Sequence, residues 1–555
     1  MRVLNMVAVV SALSLAAVGP GVAAHAAPAA ASQAVAVQGE VPPYFGSDHD
    51  NPRTADAPVV RPDTASCSVR IVDHAFDDYA VHTSDYTPPT NCRGDWSKIV
   101  LTMHGSVAGR QYDRLGWLKI GGVPVFKTST PEPSADGIEW TVEKDVTGVA
   151  ALLRDPQQVQ MYLGNTVDST YTGIFDIDVD LTFYATSTTW PAAKGPETVQ
   201  PLASATTANG ATSGTLTLPT NTERLLAQVY ATGSGGGCEE FWYSAAPTTS
   251  PDDYWCKTGK GPWRELEVLV DGRLAGIATP YPHIYTGGWS NPFLWYVLPA
   301  PRTFDLLPLT VDLTPFVGTL TDGRAHDVSV RVVGAEGSGW DVPTAFSSWQ
   351  DEGSAKVTGA VRSIDETAPV VTNTVGTEGA NFTADLHGSH ALTTQGYVDT
   401  SHGRVSTSVS RTVGAQTHHV WSDGETSDGQ VTTLTDTGYV RTEAGHGVPA
   451  FDRWNYTFSL DGQIEITDAG DLTTTITVGD TGSETRKQGA VRGPWRSWDH
   501  GYTGEATWNY TVPRDERRAT GWSKQDFTDR SSVAPCWHRV IHTVNGVVTA
   551  DATGC

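Results

Sequence analysis

Apolar and polar positions alternate along most of this chain. In Phe175-Asp176-Ile177-Asp178-Val179-Asp180-Leu181 the period of two sends four apolar side chains to one face of a strand and three aspartates to the other. Such aspartates are able to bind calcium, but a solvated strand face is the commoner cause of the pattern. From Cys67 to about Tyr184 strand follows strand, residues 185–214 shift to Ala, Thr, Ser, Pro and Gly as an interdomain connection, and a second β-rich block runs from 215 to 350. Residues 361–555, with alternating stretches such as 396–409 and 455–466, read as a β-meander with a structural or accessory role. Residues 27–66 lack periodicity and read as a loosely ordered lead-in.

The two central blocks share an order of parts, which predicts a duplicated sandwich. Trp117–Ile120, Gly121-Gly122 and Val123–Phe126 make a two-residue hairpin, matched by Val268–Val270, Asp271-Gly272 and Arg273 onward. Each is followed by a Thr-Pro, at 130–131 and 279–280. Later, Thr147 and Thr314 each stand before a short helical turn that they are placed to cap.

A length of 555 residues, at about 150 per domain, fits three to four domains. Gly 56 and Pro 33 punctuate helices too often for a helical architecture, so the class is all-β. The formal charge of −25 repels phosphate backbones and acidic headgroups, which argues against nucleic-acid and membrane-surface partners. Residues 1–26 read as a secretory signal: Arg2, an apolar run from Val7 to Val18, and the small-x-small site Ala24-His25-Ala26. No later apolar run is long enough to anchor the chain in a bilayer, so the expectation is secretion. Six cysteines fit that oxidising destination, paired by proximity as Cys67 with Cys92, Cys238 with Cys256 and Cys536 with Cys555. Zinc-ligand spacings such as C-x-x-C are absent from the sequence, as are H-E-x-x-H, G-x-S-x-G and Walker motifs.

Two polar stretches carry candidate chemistry. In Gly109-Arg110-Gln111-Tyr112-Asp113-Arg114 an acid between two arginines is held ionised by opposite charge, as suits a base that orients and deprotonates water. A structural Asp–Arg pair makes the same pattern, and His104, nine residues upstream, is a further but weaker candidate. In Cys238-Glu239-Glu240-Phe241-Trp242-Tyr243 neighbouring acids of a strand point to opposite faces, so at most one of Glu239 and Glu240 can aim into a given cleft, where adjacent rings would suit it to proton donation. A surface acid beside core aromatics is the plainer reading. Tryptophans 242, 255, 263, 289 and 295 crowd this region with Tyr243, Tyr254, Tyr281, Tyr285 and Tyr296. Flat amphipathic rings suit sugar recognition, and Trp242, Tyr243 and the loop members Trp289 and Asn291 are the best placed, although half or more of such rings are expected in the core.

Taken together, 96–100, 109–114, 128–133, 140–147, 239–243, 268–272, 286–288 and 291–292 resemble the peptide-N4-(N-acetyl-β-glucosaminyl)asparagine amidase A family, with a looser likeness at 396–398 and 536–539. A fainter likeness to peptide N-glycosidase F appears at 112–114, 218–223 and 237–240, which implies two jelly-roll-like antiparallel sandwiches with a site between them. The resemblance implies Asp113 and Glu240 as catalytic acids, supported by Arg110, Arg114 and Glu239. The third acid of peptide N-glycosidase F would fall near 162–165, where this chain has none. The implied reaction cleaves the amide between asparagine and the first N-acetylglucosamine of glycopeptides or glycoproteins, and requires no metal or organic cofactor. Its rivals are a non-catalytic glycan-binding sandwich and an endoglycosidase cutting within the chitobiose core.

Overall fold

The structure, a computed structural model, describes residues 48–555 except 93, 209, 234–260, 289–291, 336–338, 446 and 514–515. The signal expected over 1–26 lies outside the described residues.

The first sandwich contains β1 (Ser66–Phe76), β2 (His82–Tyr86), β3 (Trp96–Val107), β4 (Leu115–Ile120), β5 (Val123–Ser129), β6 (Ile138–Asp145), β7 (Gln157–Leu163) and β8 (Phe175–Ala185). They form two four-stranded sheets, β1-β8-β3-β6 and β2-β7-β4-β5, the strand order of a jelly roll. On β8 the alternation resolves as the sequence predicts: Phe175, Ile177, Val179 and Leu181 are fully buried. The polar face is laced by Arg70, which lies 2.6 Å from Asp178 and 2.9 Å from Asp180. A buried Phe, Ile or Leu stabilises by roughly 1.5–3 kcal/mol and an exposed ion pair by about 0–1, so the apolar face holds the strand in place.

The second sandwich contains β9 (Thr198–Gln200), β10 (Ala203–Ala208), β11 (Ala211–Leu216), β12 (Thr222–Val229), β13 (Thr232–Gly233), β14 (Glu265–Val270), β15 (Arg273–Ala278), β16 (Leu309–Asp312), β17 (His326–Val333), β18 (Trp340–Asp341) and β19 (Thr344–Gln350). Its sheets run β16-β12-β19-β9 and β10-β11-β17-β14-β15. With β10 set aside as an added edge, this is the same order of parts as in the first sandwich, and the hairpins β4–β5 and β14–β15 correspond. Residues 185–214, read from sequence as a connection, therefore contribute three strands. Their small polar residues gave no alternation because β10 is exposed along its whole length.

The duplication extends to side chains. Asp145 Oδ1 accepts the Thr147 amide at 2.9 Å, and Thr147 Oγ1 accepts the Ile99 amide of β3 at 2.9 Å. Asp312 Oδ1 likewise accepts the Thr314 amide at 2.9 Å, and Thr314 Oγ1 the Leu225 amide of β12 at 3.2 Å. Neither threonine hydroxyl caps the turn that follows. Each ties the turn to a strand of its own sandwich instead.

Residues beyond 357 form one ten-stranded antiparallel meander: β20 (Thr358–Glu378), β21 (Asn381–Thr400), β22 (Gly403–Trp421), β23 (Ser427–Ala444), β24 (Ala450–Ile466), β25 (Asp471–Gln488), β26 (Val491–Asn509), β27 (Thr520–Ser531), β28 (Trp537–Val544) and β29 (Val547–Gly554). It shares a single apolar core with the second sandwich, whereas the first sandwich has its own. Disulfides join Cys67 to Cys92, with Cα atoms 6.2 Å apart, and Cys536 to Cys555, 6.0 Å apart. The lead-in is not loose where it is described. Asp50 donates to Gly546 O at 2.8 Å, Arg53 to Val297 O at 2.9 Å, and Ala55 to Gln525 Oε1 at 2.8 Å. Because its partners, Val297, Gln525 and Gly546, lie hundreds of residues away in sequence, local periodicity carried no sign of this strap.

Buried Glu265 of β14 meets buried His390 of β21, Oε1 to Nδ1, at 2.5 Å. Burial pushes the Glu265 carboxyl up from 4.5 to about 7, with His390 opposing the shift. The folded chain thus holds that proton more tightly than the unfolded one, so the stabilisation is complete below about pH 4.5 and is lost as pH rises through 7. Chemical denaturation at pH 5 and pH 8 is expected to show stability falling by up to about 3 kcal/mol from this group. Glu265→Gln should flatten the dependence, and an unchanged slope would refute the assignment.

Candidate active site

The lobes meet along β5. Its seven residues are all buried, with no alternation, because the second lobe covers the face that an edge strand would show to water. Buried Lys127 crosses the seam, its Nζ 3.1 Å from Asp341 and 3.2 Å from Tyr230 O. Ser129 donates its amide to Thr303 O at 3.0 Å.

The approach to β4 is pinned by buried Gln111, whose Nε2 donates to Thr166 O at 2.9 Å and to Gly173 O at 3.1 Å. Its Oε1 accepts from Tyr112 N and from the Arg114 guanidinium. Arg114 N donates to Thr130 Oγ1 at 2.8 Å, and Thr130 N to Arg114 O at 2.9 Å. This pairing sets half-buried Asp113 beside the residues that leave β5, of which Glu132 is 6% exposed.

A loop of the second lobe closes on both acids. Thr286 Oγ1 donates to Thr130 O at 3.0 Å, Gly287 N to Asp113 Oδ2 at 2.9 Å, and the Tyr296 hydroxyl to Glu132 Oε2 at 2.6 Å. The loop is braced by Trp295 Nε1 donating to Gly288 O at 2.8 Å and by Tyr285 OH donating to Gly233 O at 3.0 Å. A Cβ on Gly287 would stand 2.6 Å from Glu132 Oε1 and 3.1 Å from Asp113 Oδ1, so both carboxylates face the same backbone and only glycine leaves room for them. Two carboxylates and a peptide N–H gathered at a lobe boundary can orient a water and move its proton.

The nearby histidines do not supply a base. Burial pushes the His283 imidazole down to about 3; neither ring nitrogen has a hydrogen-bond partner, and the ring packs edge-on to Tyr285 at 4.5 Å. Burial also lowers His49, whose ring lies 5.2 Å from that of Tyr296.

Of the residues proposed from sequence, Asp113 sits at this junction. Arg114 holds the stretch through its backbone and Gln111, and Arg110 lies over the Tyr171 ring at 5.2 Å. His104 is not there: it is exposed on β3, 2.9 Å from Thr141 Oγ1, because alternation turns it to the outer face. Glu239, Glu240, Trp242, Tyr243, Trp289, Asn291, Cys238 and Cys256 lie outside the described residues. Trp263, Trp295, Tyr285 and Tyr296 are buried, so these members of the aromatic cluster are core. Glu132, Gly287 and Tyr296 were not singled out beforehand as site residues. The first two do lie within matching stretches, 128–133 and 286–288, and an acid in a run of otherwise uncharged residues bound for burial was the available signal.

Gly287→Val is expected to displace both carboxylates and lower catalytic turnover at least tenfold, while the melting temperature moves by only a few degrees. Steady-state kinetics beside thermal unfolding checks this, and unchanged turnover would remove Gly287 from the site.

The model of the family described as peptide N-acetyl-beta-D-glucosaminyl asparaginase amidase A matches residues 54–367. The chain is 31% identical over 392 residues to peptide-N4-(N-acetyl-beta-glucosaminyl)asparagine amidase A of Prunus dulcis, covering 65% of this chain and 68% of that one. A solved structure titled PNGF-II aligns at 12% identity over 51% of this chain and 65% of that one, with a TM-score of 0.36, a likeness too slight to carry an argument. The matched span and the 31% identity over 68% of the Prunus dulcis relative show that this chain belongs to the peptide N-acetyl-β-D-glucosaminyl asparaginase amidase A family.

Proposed function

We propose that this protein is a secreted peptide N-glycosidase that hydrolyses the amide between an asparagine side chain and the first N-acetylglucosamine of N-glycosylated peptides or glycoproteins. The observation that carries this reading is the convergence of Asp113 and Glu132 of the first lobe on the Gly287 amide of the second. Family membership and the disulfides, which suit a compartment outside the cytosol, support it.

Water adds to the side-chain carbonyl carbon, the C–N bond breaks, and aspartate and a glycosylamine form; a second water then hydrolyses the glycosylamine to free glycan and ammonia. Asp113, oriented by the Gly287 N–H, positions the water and takes its proton. Glu132, held by the Tyr296 hydroxyl, fixes the water from the other side and fills the third-acid role that the stretch 162–165 does not. Glu240, seven residues beyond the Gly233 carbonyl that braces the Gly287 loop, assists protonation of the leaving nitrogen. Arg114 is a positioning residue acting through Thr130 and Gln111. Because the bond cut is an amide, the separation of the carboxylates does not forecast retention or inversion at the sugar.

Incubation with a glycopeptide in heavy-oxygen water should leave labelled aspartate in the peptide. One sugar left on asparagine would indicate an endoglycosidase instead, and an unchanged glycopeptide a lectin. Asp113→Asn is expected to lower turnover by at least about 10³-fold with glycopeptide binding retained, and Glu132→Gln by about 10²-fold or more. Near-normal turnover in the first variant would overturn the mechanism, and in the second would return Glu132 to a structural role.

A further inference from the structure

A cavity of about 1450 Å³ lies between the two sandwiches and the meander, and it is lined by none of the residues of the junction just described. This exceeds the 300–1,000 Å³ usual for small-molecule sites. Its floor is one face of the sheet β23–β27, where the same device is built twice. Asp436-Thr437-Gly438 lies on β23 and Asp480-Thr481-Gly482 on β25, and eighteen residues after each aspartate comes a tryptophan. Trp454 stands opposite Gly438 and Trp498 opposite Gly482 in the strand register. A Cβ on either glycine would run into Cζ2 of its tryptophan, so each indole lies down across the bare backbone of the neighbouring strand. Each is fixed there by its Nε1–H, which donates to Asp436 Oδ1 at 2.9 Å and to Asp480 Oδ1 at 3.2 Å. The aspartates are held in turn by forked pairs, Arg411 to Asp436 at 2.6 and 2.7 Å and Arg302 to Asp480 at 2.6 and 2.8 Å.

A tryptophan that serves only as core has no need of a glycine beneath it or an anchored ring nitrogen at a half-buried position. Both indoles are half-buried and line the cavity, with the Tyr456 ring 5.5 Å from that of Trp498. Their strands are two apart and the register sets them two residues apart along the sheet, Trp454 opposite Glu484 and Trp498 opposite Gly482, so the platforms are roughly 12 Å from one another. That spacing lets alternate rings of an extended oligosaccharide stack on them. The three arginines nearest the indoles are each paired with an acid, Arg411 with Asp436, Arg302 with Asp480 and Arg496 with Asp529 at 2.9 Å, which favours an uncharged ligand, and these planar ion pairs offer donors and acceptors to vicinal hydroxyls.

We propose that this face of the meander is a second binding site, for a neutral oligosaccharide, separate from the Asp113 junction and independent of the amidase reading. The test titrates the full chain with a free, neutral, mannose-rich N-glycan by calorimetry. Trp454→Ala and Trp498→Ala should each weaken binding about tenfold. Turnover of a glycopeptide carrying only the core sugars should stay within about twofold of the unaltered protein. Gly438→Val and Gly482→Val keep the indoles but lift them from the sheet, and should lose affinity equally with melting temperatures near that of the parent. Asp113→Asn should still bind the free glycan. Unchanged affinity in the double tryptophan variant, loss of binding in Asp113→Asn, or displacement of the glycan by an unglycosylated peptide would each overturn the proposal. An unaltered chain that binds the free glycan but leaves glycopeptides uncut would sink the amidase reading while leaving this one standing.

Discussion

The buried polar seam between the lobes is the constraint on which the rest of the structure depends. Thr128, Ser129, Thr130, Thr286 and Thr303 are all essentially without solvent contact. An unpaired buried polar group costs about 1–3 kcal/mol, so their hydrogen bonds must be made within the protein. The bonds Ser129 to Thr303 O and Thr286 to Thr130 O exist in one relative placement of the lobes. That placement brings the Gly287 amide to Asp113, and Tyr296 to Glu132. The acids converge because the seam allows little else.

Duplication explains how a seam of this kind arises between two similar units. Both sandwiches use the same strand order and the same Asp-x-Thr clasp, yet they do different work. The first supplies the carboxylates from the ends of its β4–β5 hairpin. In the second, the stretch beyond the corresponding β14–β15 hairpin carries the backbone N–H and the tyrosine. The second sandwich also merges its core with the meander, so the loop bearing Gly287 stands on a much larger apolar body than a sandwich alone would provide. Trp295, stacked on Tyr502 at 4.4 Å, carries that support directly to the loop through its bond to Gly288 O.

The meander is therefore more than a spacer. Its buried contacts, Arg302 with Asp480 and Arg411 with Thr310 O at 2.7 Å, are charged, and charged groups removed from water hold an interface only when their geometry is satisfied. The same aspartates that satisfy them also anchor the indoles, which joins the stability of the interface to the shape of the cavity beside it.

What the sequence by itself determined is whatever has a local cause. Alternation on β8, the glycine hairpins, the paired order of the sandwiches and the position of Asp113 before β4 follow from side-chain period and turn chemistry over a few residues. Matching stretches of sequence also pointed to the family. Only the tertiary structure decided that Glu132 turns inward beside Asp113, that residues 48–66 are a strap and not a loose lead-in, and that Trp454 and Trp498 lie flat. Each of these depends on a partner distant in sequence: Tyr296 for the glutamate, Gln525 and Gly546 for the strap, and the cross-strand glycines for the tryptophans. Which polar group is buried, and against what, is fixed by the packing of whole lobes, and a period of two carries no information about that.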